Sequence, residues 1–147
     1  MSNLSIKFKI VTPERTVFEE NVFQATIPTS DGVVTILPNH RSYIASLNPG
    51  EIMLRRGKEE FFISISGGFM EFNNNELIVL ADTAERAEEI DVERAEEAKR
   101  RAEELKKQKI TMDEEEYARV AAAIEREAAR IRVARKNLTK KSINIEQ

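Results

Sequence analysis

The first eighty residues alternate. In SIKFKIVT, Ile6, Phe8 and Ile10 are interleaved with Lys7 and Lys9, the period-two pattern of a strand with one buried face. Comparable short segments follow: RTVFEENVFQATIPTS, GVVTIL, SYIASL, GEIMLRR, EEFFISIS, GGFMEF and NELIVLA, most of them bounded by Gly, Pro or Asn. RRGKEE and FNNNEL read as hairpin turns, where Gly57 or an Asn adopts positive φ at little cost. Many short strands at this spacing predict a sandwich or barrel of about eight to ten strands.

From about Glu85 the period changes, and Gly and Pro no longer occur. Ala95, Ala98, Ala102 and Leu105 fall on one helical seam. After the polar break KKQKITMD, a second stripe runs through Tyr117, Val120, Ile124, Ala128, Ile131 and Leu138. TMDE and DEEE both offer an N-cap followed three positions on by an acid. Both helices begin acidic and end basic, which complements their dipoles. The fold class expected is mixed, β then α: an antiparallel β-sandwich over residues 1–84, then an antiparallel two-helix hairpin over residues 85–147. The alanine seam is thin. Each methyl-sized group buried contributes about 0.8 kcal/mol, against about 1.5–3 for a leucine-type side chain. Such a hairpin is expected to be marginally held and able to change partners. For the last ten residues, disorder and a contact made in another state both remain open.

Composition narrows the classes. The chain has 147 residues and a formal net charge of −3. Residues 1–84 hold 7 Lys/Arg against 10 Asp/Glu, and residues 85–147 hold 16 against 16, so the helical part is charge-dense but balanced. That argues against a nucleic-acid stripe and for solvated helix faces. The absence of cysteine excludes disulfides and thiolate metal sites. No apolar run is long enough to span a bilayer, and the N-terminus lacks a secretory h-region. A cytoplasmic protein is the simplest expectation. His40, in PNHR, is the one histidine; with no further ligands near it in sequence, a turn residue or partner contact is expected rather than a metal site.

Three stretches together resemble the epsilon subunit of bacterial and chloroplast F-type ATP synthases: VTPERTVFEENV; ILPNH with NPGEI; and SGGFMEFNNNELIVLADTAERAEEIDVERA. The resemblance covers nearly the whole chain, and its third stretch is the specific one. It implies a non-catalytic rotor subunit, peripheral to the cytoplasmic face of a bacterial membrane. Its sandwich would contact the gamma subunit and the c-ring. Its hairpin would lie folded on the sandwich or extend along gamma into the alpha/beta catalytic head and hinder ATP hydrolysis. Where many members read Gly-Glu-(Leu or Ile)-Gly, this chain has DGVVTIL, with Val33 and Thr35 in place of an acid and a glycine. The resemblance leaves two alternatives for the carboxylate that faces the c-ring: it is missing here, or Asp31 substitutes for it; His40 is a second candidate rotor contact.

IDVERA resembles the Ile/Leu-Asp-x-x-Arg-Ala motif of epsilon subunits that bind ATP. The resemblance implies an ATP site at Glu85, Ile90, Asp91, Arg94, Ala95, Arg126 and Arg130, with ATP a regulatory ligand rather than a required cofactor. Arg126 and Arg130, four apart on a helix, reach one point, and forked guanidinium donors suit phosphate oxygens. Arg94 lies in a first turn, where the dipole disfavours a cation unless an anion offsets it. No Gly-rich phosphate loop is present, and nothing in the set would hydrolyse ATP. The plain alternative makes Asp91 only an N-cap and pairs Arg94 with a surface acid such as Glu97. At the level of function, the alternatives are a constitutive coupling subunit that does not sense ATP, and a generic sandwich-and-hairpin adaptor.

Overall fold

A computed structural model of the chain describes residues 4–108 and 111–145. Two positions of the polar break, 109 and 110, lie outside the described residues, as do 146 and 147 at the end of the chain.

Ten strands are seen among the described residues: β1 Ile6–Val11, β2 Thr16–Val22, β3 Gln24–Thr29, β4 Gly32–Ile36, β5 Tyr43–Leu47, β6 Gly50–Arg56, β7 Glu59–Ile65, β8 Gly68–Asn73, β9 Glu76–Ala81 and β10 Ala84–Arg86. They join in the order β10-β7-β6-β3-β5-β8-β9-β1-β2, with β4 attached to β3. The two expected turns form where the chemistry demands them. Gly57 takes φ 59° between β6 and β7, and Asn74 and Asn75 take φ 48° and 58° between β8 and β9. Gly68 has φ 138°, and a Cβ there would stand 2.0 Å from the Leu80 carbonyl oxygen, so β8 can approach β9 only with glycine at that point.

One pairing departs from the antiparallel pattern. β1 runs parallel to β9, Lys7 opposite Glu76 through Val11 opposite Leu80. Parallel neighbours need a long connection, and here the connection is most of the sandwich itself. The sheet folds over on itself, bringing β2 against β7 and β10. The Phe18 ring packs 5.7 Å from that of Phe61, and Arg86 donates to the Val17 carbonyl from both Nε (3.0 Å) and a terminal nitrogen (2.9 Å). Inside lie the alternate residues the sequence pattern marked, including Ile6, Phe8, Ile10, Ile27, Ile52, Phe72 and Leu77, all fully buried.

After a single 3-10 turn at Ala87–Glu89 come α1, Val92–Gln108, and α2, Glu114–Ile145. Asp91 caps α1 and Asp113 caps α2, each carboxylate accepting the N–H three residues on (3.1 and 2.8 Å). The helices are antiparallel: Lys106 lies over the Tyr117 ring, and Arg135 pairs with Glu96 at 2.9 Å. They differ in length, about 25 Å against 48 Å at 1.5 Å per residue, so α2 outruns its partner. Its C-terminal half also lies on the sheet. Val133 and Ala134 pack with Ala87, Ile90, Val92 and Phe62; Lys136 pairs with Glu51; and Lys140 donates to the Glu60 carbonyl.

This division of labour changes the expected stripes. Ala95 is fully buried and Ile131 nearly so, but Leu105, Tyr117 and Leu138 are exposed. The buried positions of α2 shift to Glu127, Ala129, Ile131, Val133 and Ala134, because one side of the helix meets α1 and another meets the sheet. α2 also continues through most of the last ten residues, as far as Ile145.

Candidate functional site

Between the hairpin and the edge of the sheet lies a cleft of about 470 Å³. The sheet contributes Ser64, Ile65 and Ser66 from the end of β7, Thr83 from the turn before β10, and Glu85 from β10 itself. The hairpin contributes Arg94 and Ala98 from α1, and Arg126, Glu127 and Arg130 from α2. Four positions inferred from the sequence, Glu85, Arg94, Arg126 and Arg130, therefore meet around one space although they come from three elements.

Arg130 is the anchor. Its Nε donates to Glu85 Oε2 at 2.9 Å and a terminal nitrogen donates to Oε1 at 3.2 Å, while the other terminal nitrogen donates to Glu127 Oε2 at 2.7 Å. Burial works to lower its pKa, but the hydrogen bonds and charges of Glu85 and Glu127 outweigh this, so the guanidinium is held above its ordinary value. Three of its five N–H donors are engaged and two are left over. Arg126 reaches the other oxygen of Glu127 at 3.3 Å while remaining exposed. Arg94 lines the cleft, and its guanidinium has no partner among the described residues. Glu97, the surface acid the plain alternative pairs with it, is engaged by Arg101 at 2.7 Å. Three cations thus face two carboxylates, a surplus of one positive charge in a partly screened space.

The remaining inferred residues stand just outside the lining. Asp91 is the α1 cap, and its carboxylate accepts the Arg94 N–H. Ile90 belongs to the apolar cluster under α2, and Ala95 is fully buried. Ile90, Asp91 and Ala95 fix where α1 starts and how closely it approaches α2, and so where Arg94 stands.

Asp31 and His40 lie elsewhere, at opposite ends of β4. Asp31 is exposed at the β3–β4 turn, its N–H donating to Thr29 Oγ1 at 3.3 Å. His40 is exposed in a turn, with Nδ1 2.8 Å from the Arg41 carbonyl and its ring edge-on to Phe72. Among the described residues no cluster of His, Asp and Glu is arranged to hold a metal.

Sequence reasoning did not single out Glu127 or Ser64. Glu127 is 6% exposed, yet an acid in the run EREAAR reads as part of a solvated face. Its one sequence signal was its place between two arginines already chosen. Ser64 is 3% exposed and occupies an outward position of a strand.

Two family models match adjoining parts of the chain: the β-sandwich domain of the ATP synthase delta/epsilon chain matches residues 5–87, and its long α-helix domain matches residues 88–135. The chain belongs to the ATP synthase delta/epsilon-chain family. Among relatives of this family, the ATP synthase epsilon chain of Pelotomaculum thermopropionicum is 48% identical over 104 residues, covering 71% of this chain and 78% of that one. The epsilon chain of Levilactobacillus brevis is 40% identical over 131 residues, covering 88% and 94%. In fold, the chain is similar to one in a cryo-EM structure of the Euglena gracilis mitochondrial ATP synthase, with a TM-score of 0.73, 24% identity and coverage of 86% and 79%. The epsilon-chain layout, sandwich then helices, is the one described above. None of its described helices is long and apolar enough to cross a membrane.

Proposed function

We propose that this epsilon-type chain is a non-catalytic rotor subunit of an ATP synthase and that the cleft between hairpin and sandwich binds ATP as a regulatory ligand. The observation that carries the second part is the convergence of Glu85, Arg94, Arg126 and Arg130 on one cleft, with Arg94 unpartnered and Arg130 retaining two free donors. Phosphate oxygens suit the guanidinium donors, and the carboxylate of Glu85 suits N–H or O–H groups of the nucleoside.

Because the cleft takes its walls from both the sheet and the hairpin, a ligand there favours the folded-down arrangement. At about 100 times its dissociation constant, such a ligand contributes about 2.7 kcal/mol. High ATP would then hold the hairpin down, and low ATP would release it toward the catalytic head to hinder hydrolysis. In this reading the sandwich meets the gamma subunit and the c-ring, so the chain sits peripherally at the cytoplasmic face of the membrane.

A second reading, constitutive coupling without ATP sensing, draws support from the fact that Arg130 is already bridged by Glu85 and Glu127, so the hairpin docks without a ligand. Calorimetric titration of the full chain with ATP separates the two. Binding by the parent chain, weakened about tenfold or more in Arg94→Ala and Arg126→Ala, is the expected result, a charge-assisted hydrogen bond being worth about 1.5–3 kcal/mol. Equal heats for all three proteins would exclude the site.

A further inference from the structure

Beside the arginines, the sheet contributes polar side chains to the cleft, among them Ser64 and Glu85. In the β6-β7-β10 register, Ser64 stands directly opposite Glu51 on one side and Glu85 on the other, so the three share the face that looks toward α2. This breaks the pattern of the strand, whose other face carries the buried Ile63 and Ile65.

Each carboxylate of the row already has a cation: Glu85 takes Arg130 and Glu51 takes Lys136. Ser64 has nothing. It is 97% removed from solvent and lines the cleft, and its hydroxyl makes no hydrogen bond to any described residue. Its neighbours Ser66 and Thr83, by contrast, satisfy one another at 2.8 Å. The hydroxyl is not sealed in the protein but opens on the cleft, so a group that enters the cleft can reach it. A strand facing a helix does not need it.

Resting on the nucleotide reading above, we infer that the Ser64 hydroxyl, together with Glu85, forms a subsite for a neutral hydrogen-bond-donating group of the nucleoside. Glu85 has accepted two N–H groups from Arg130 and keeps lone pairs, so it accepts and never donates. Ser64 both donates and accepts. A group meeting the pair must therefore carry a hydrogen to give Glu85, as a ribose hydroxyl or an exocyclic amine does. A base carbonyl set against Glu85 opposes two acceptors, leaving only the Ser64 hydroxyl to donate to it, and binds more weakly. The subsite so built selects the nucleoside, whereas the arginines hold the phosphates of any nucleotide.

The test uses the full chain and Ser64→Ala, titrated calorimetrically with ATP, with dATP (no ribose 2′ hydroxyl) and with ITP (a carbonyl in place of the adenine amine). The parent chain should prefer ATP to one of the two analogues. Ser64→Ala should weaken ATP about five- to tenfold while leaving the affinity for that analogue unchanged. Insensitivity confined to dATP assigns the ribose, and insensitivity confined to ITP assigns the amine. The unfolding midpoint of ligand-free Ser64→Ala should be no lower than the parent's, since the hydroxyl removed has no partner. Equal affinity of the parent for all three nucleotides, no effect of the substitution on ATP, or an equal loss with all three overturns the subsite. Failure of the parent to bind any nucleotide overturns the subsite and the ATP reading together.

Discussion

Glu89 shows how one side chain can tie three segments. Its carboxylate caps the 3-10 turn by accepting the Arg86 N–H at 3.1 Å, and both its oxygens receive the Arg15 guanidinium, at 3.0 and 3.1 Å. Burial works to raise its pKa, but the Arg86 N–H and the Arg15 guanidinium outweigh it and hold the carboxyl below the ordinary carboxylate range. A depressed folded-state pKa means that the ionised form is favoured by folding. The stabilisation is complete above the ordinary carboxylate pKa and is lost as pH falls through the lower folded value. Glu89→Gln should therefore flatten the acid limb of the stability–pH curve while lowering stability near neutral pH. Thermal unfolding scans from pH 7 to 3 measure this, and parallel curves for the two proteins would count against it.

Among the elements, α1 is the one whose existence rests most on its ends. Its buried seam is Ala95 with half-buried Ala98 and Ala102, so its cap is a larger share of its stability than in a leucine-rich helix. Asp91→Ala should cost about 1 kcal/mol and lower helical circular dichroism before the β-sheet signal changes. Loss of both signals in one transition at an unchanged midpoint would contradict that. The cap, strands β1 to β9 and the β6–β7 and β8–β9 turns were readable from the sequence, because each depends on chemistry within a few positions, whereas β10, at Ala84–Arg86, falls where the helical composition already begins. The partner of β1 was not: alternation of Ile6, Phe8 and Ile10 says that a face is buried but not which edge is paired. Tyr117 and Leu138 misled for a related reason. Periodicity finds one stripe, whereas α2 has two partners on different sides. The site was legible where charge and spacing coincided, as at Arg126 and Arg130, and opaque at Ser64 and Glu127, whose burial comes only from the docking of one unit on another.

For the molecule as a whole, the contact between hairpin and sandwich joins a small apolar cluster to ion pairs. Its apolar part is a cluster of Ala87, Ile90, Val92, Val133, Ala134 and Phe62, while Arg130–Glu85, Lys136–Glu51 and Lys140 with the Glu60 carbonyl fasten α2 along the sheet. The screening length shortens from about 10 Å at 0.1 M to about 3 Å at 1 M salt. Raising salt over that range should increase amide exchange in the second half of α2 several-fold and leave β1, β8 and β9 unchanged. Equal responses in helix and sheet would refute an ionic attachment.

The parallel seam between β1 and β9 has a consequence for how the chain is made. During synthesis β1 emerges ahead of β9 and can pair at once with β2, but its other edge waits for Glu76–Leu80, some 65 residues later. At roughly 5–20 residues per second the wait lasts about 3–13 s. Throughout it the apolar face of Ile6, Phe8 and Ile10 lacks the cover that the closed sheet provides. β1 is thus among the last strands to be secured although it precedes β9 in the chain, and the nascent chain must be kept from pairing that edge with another.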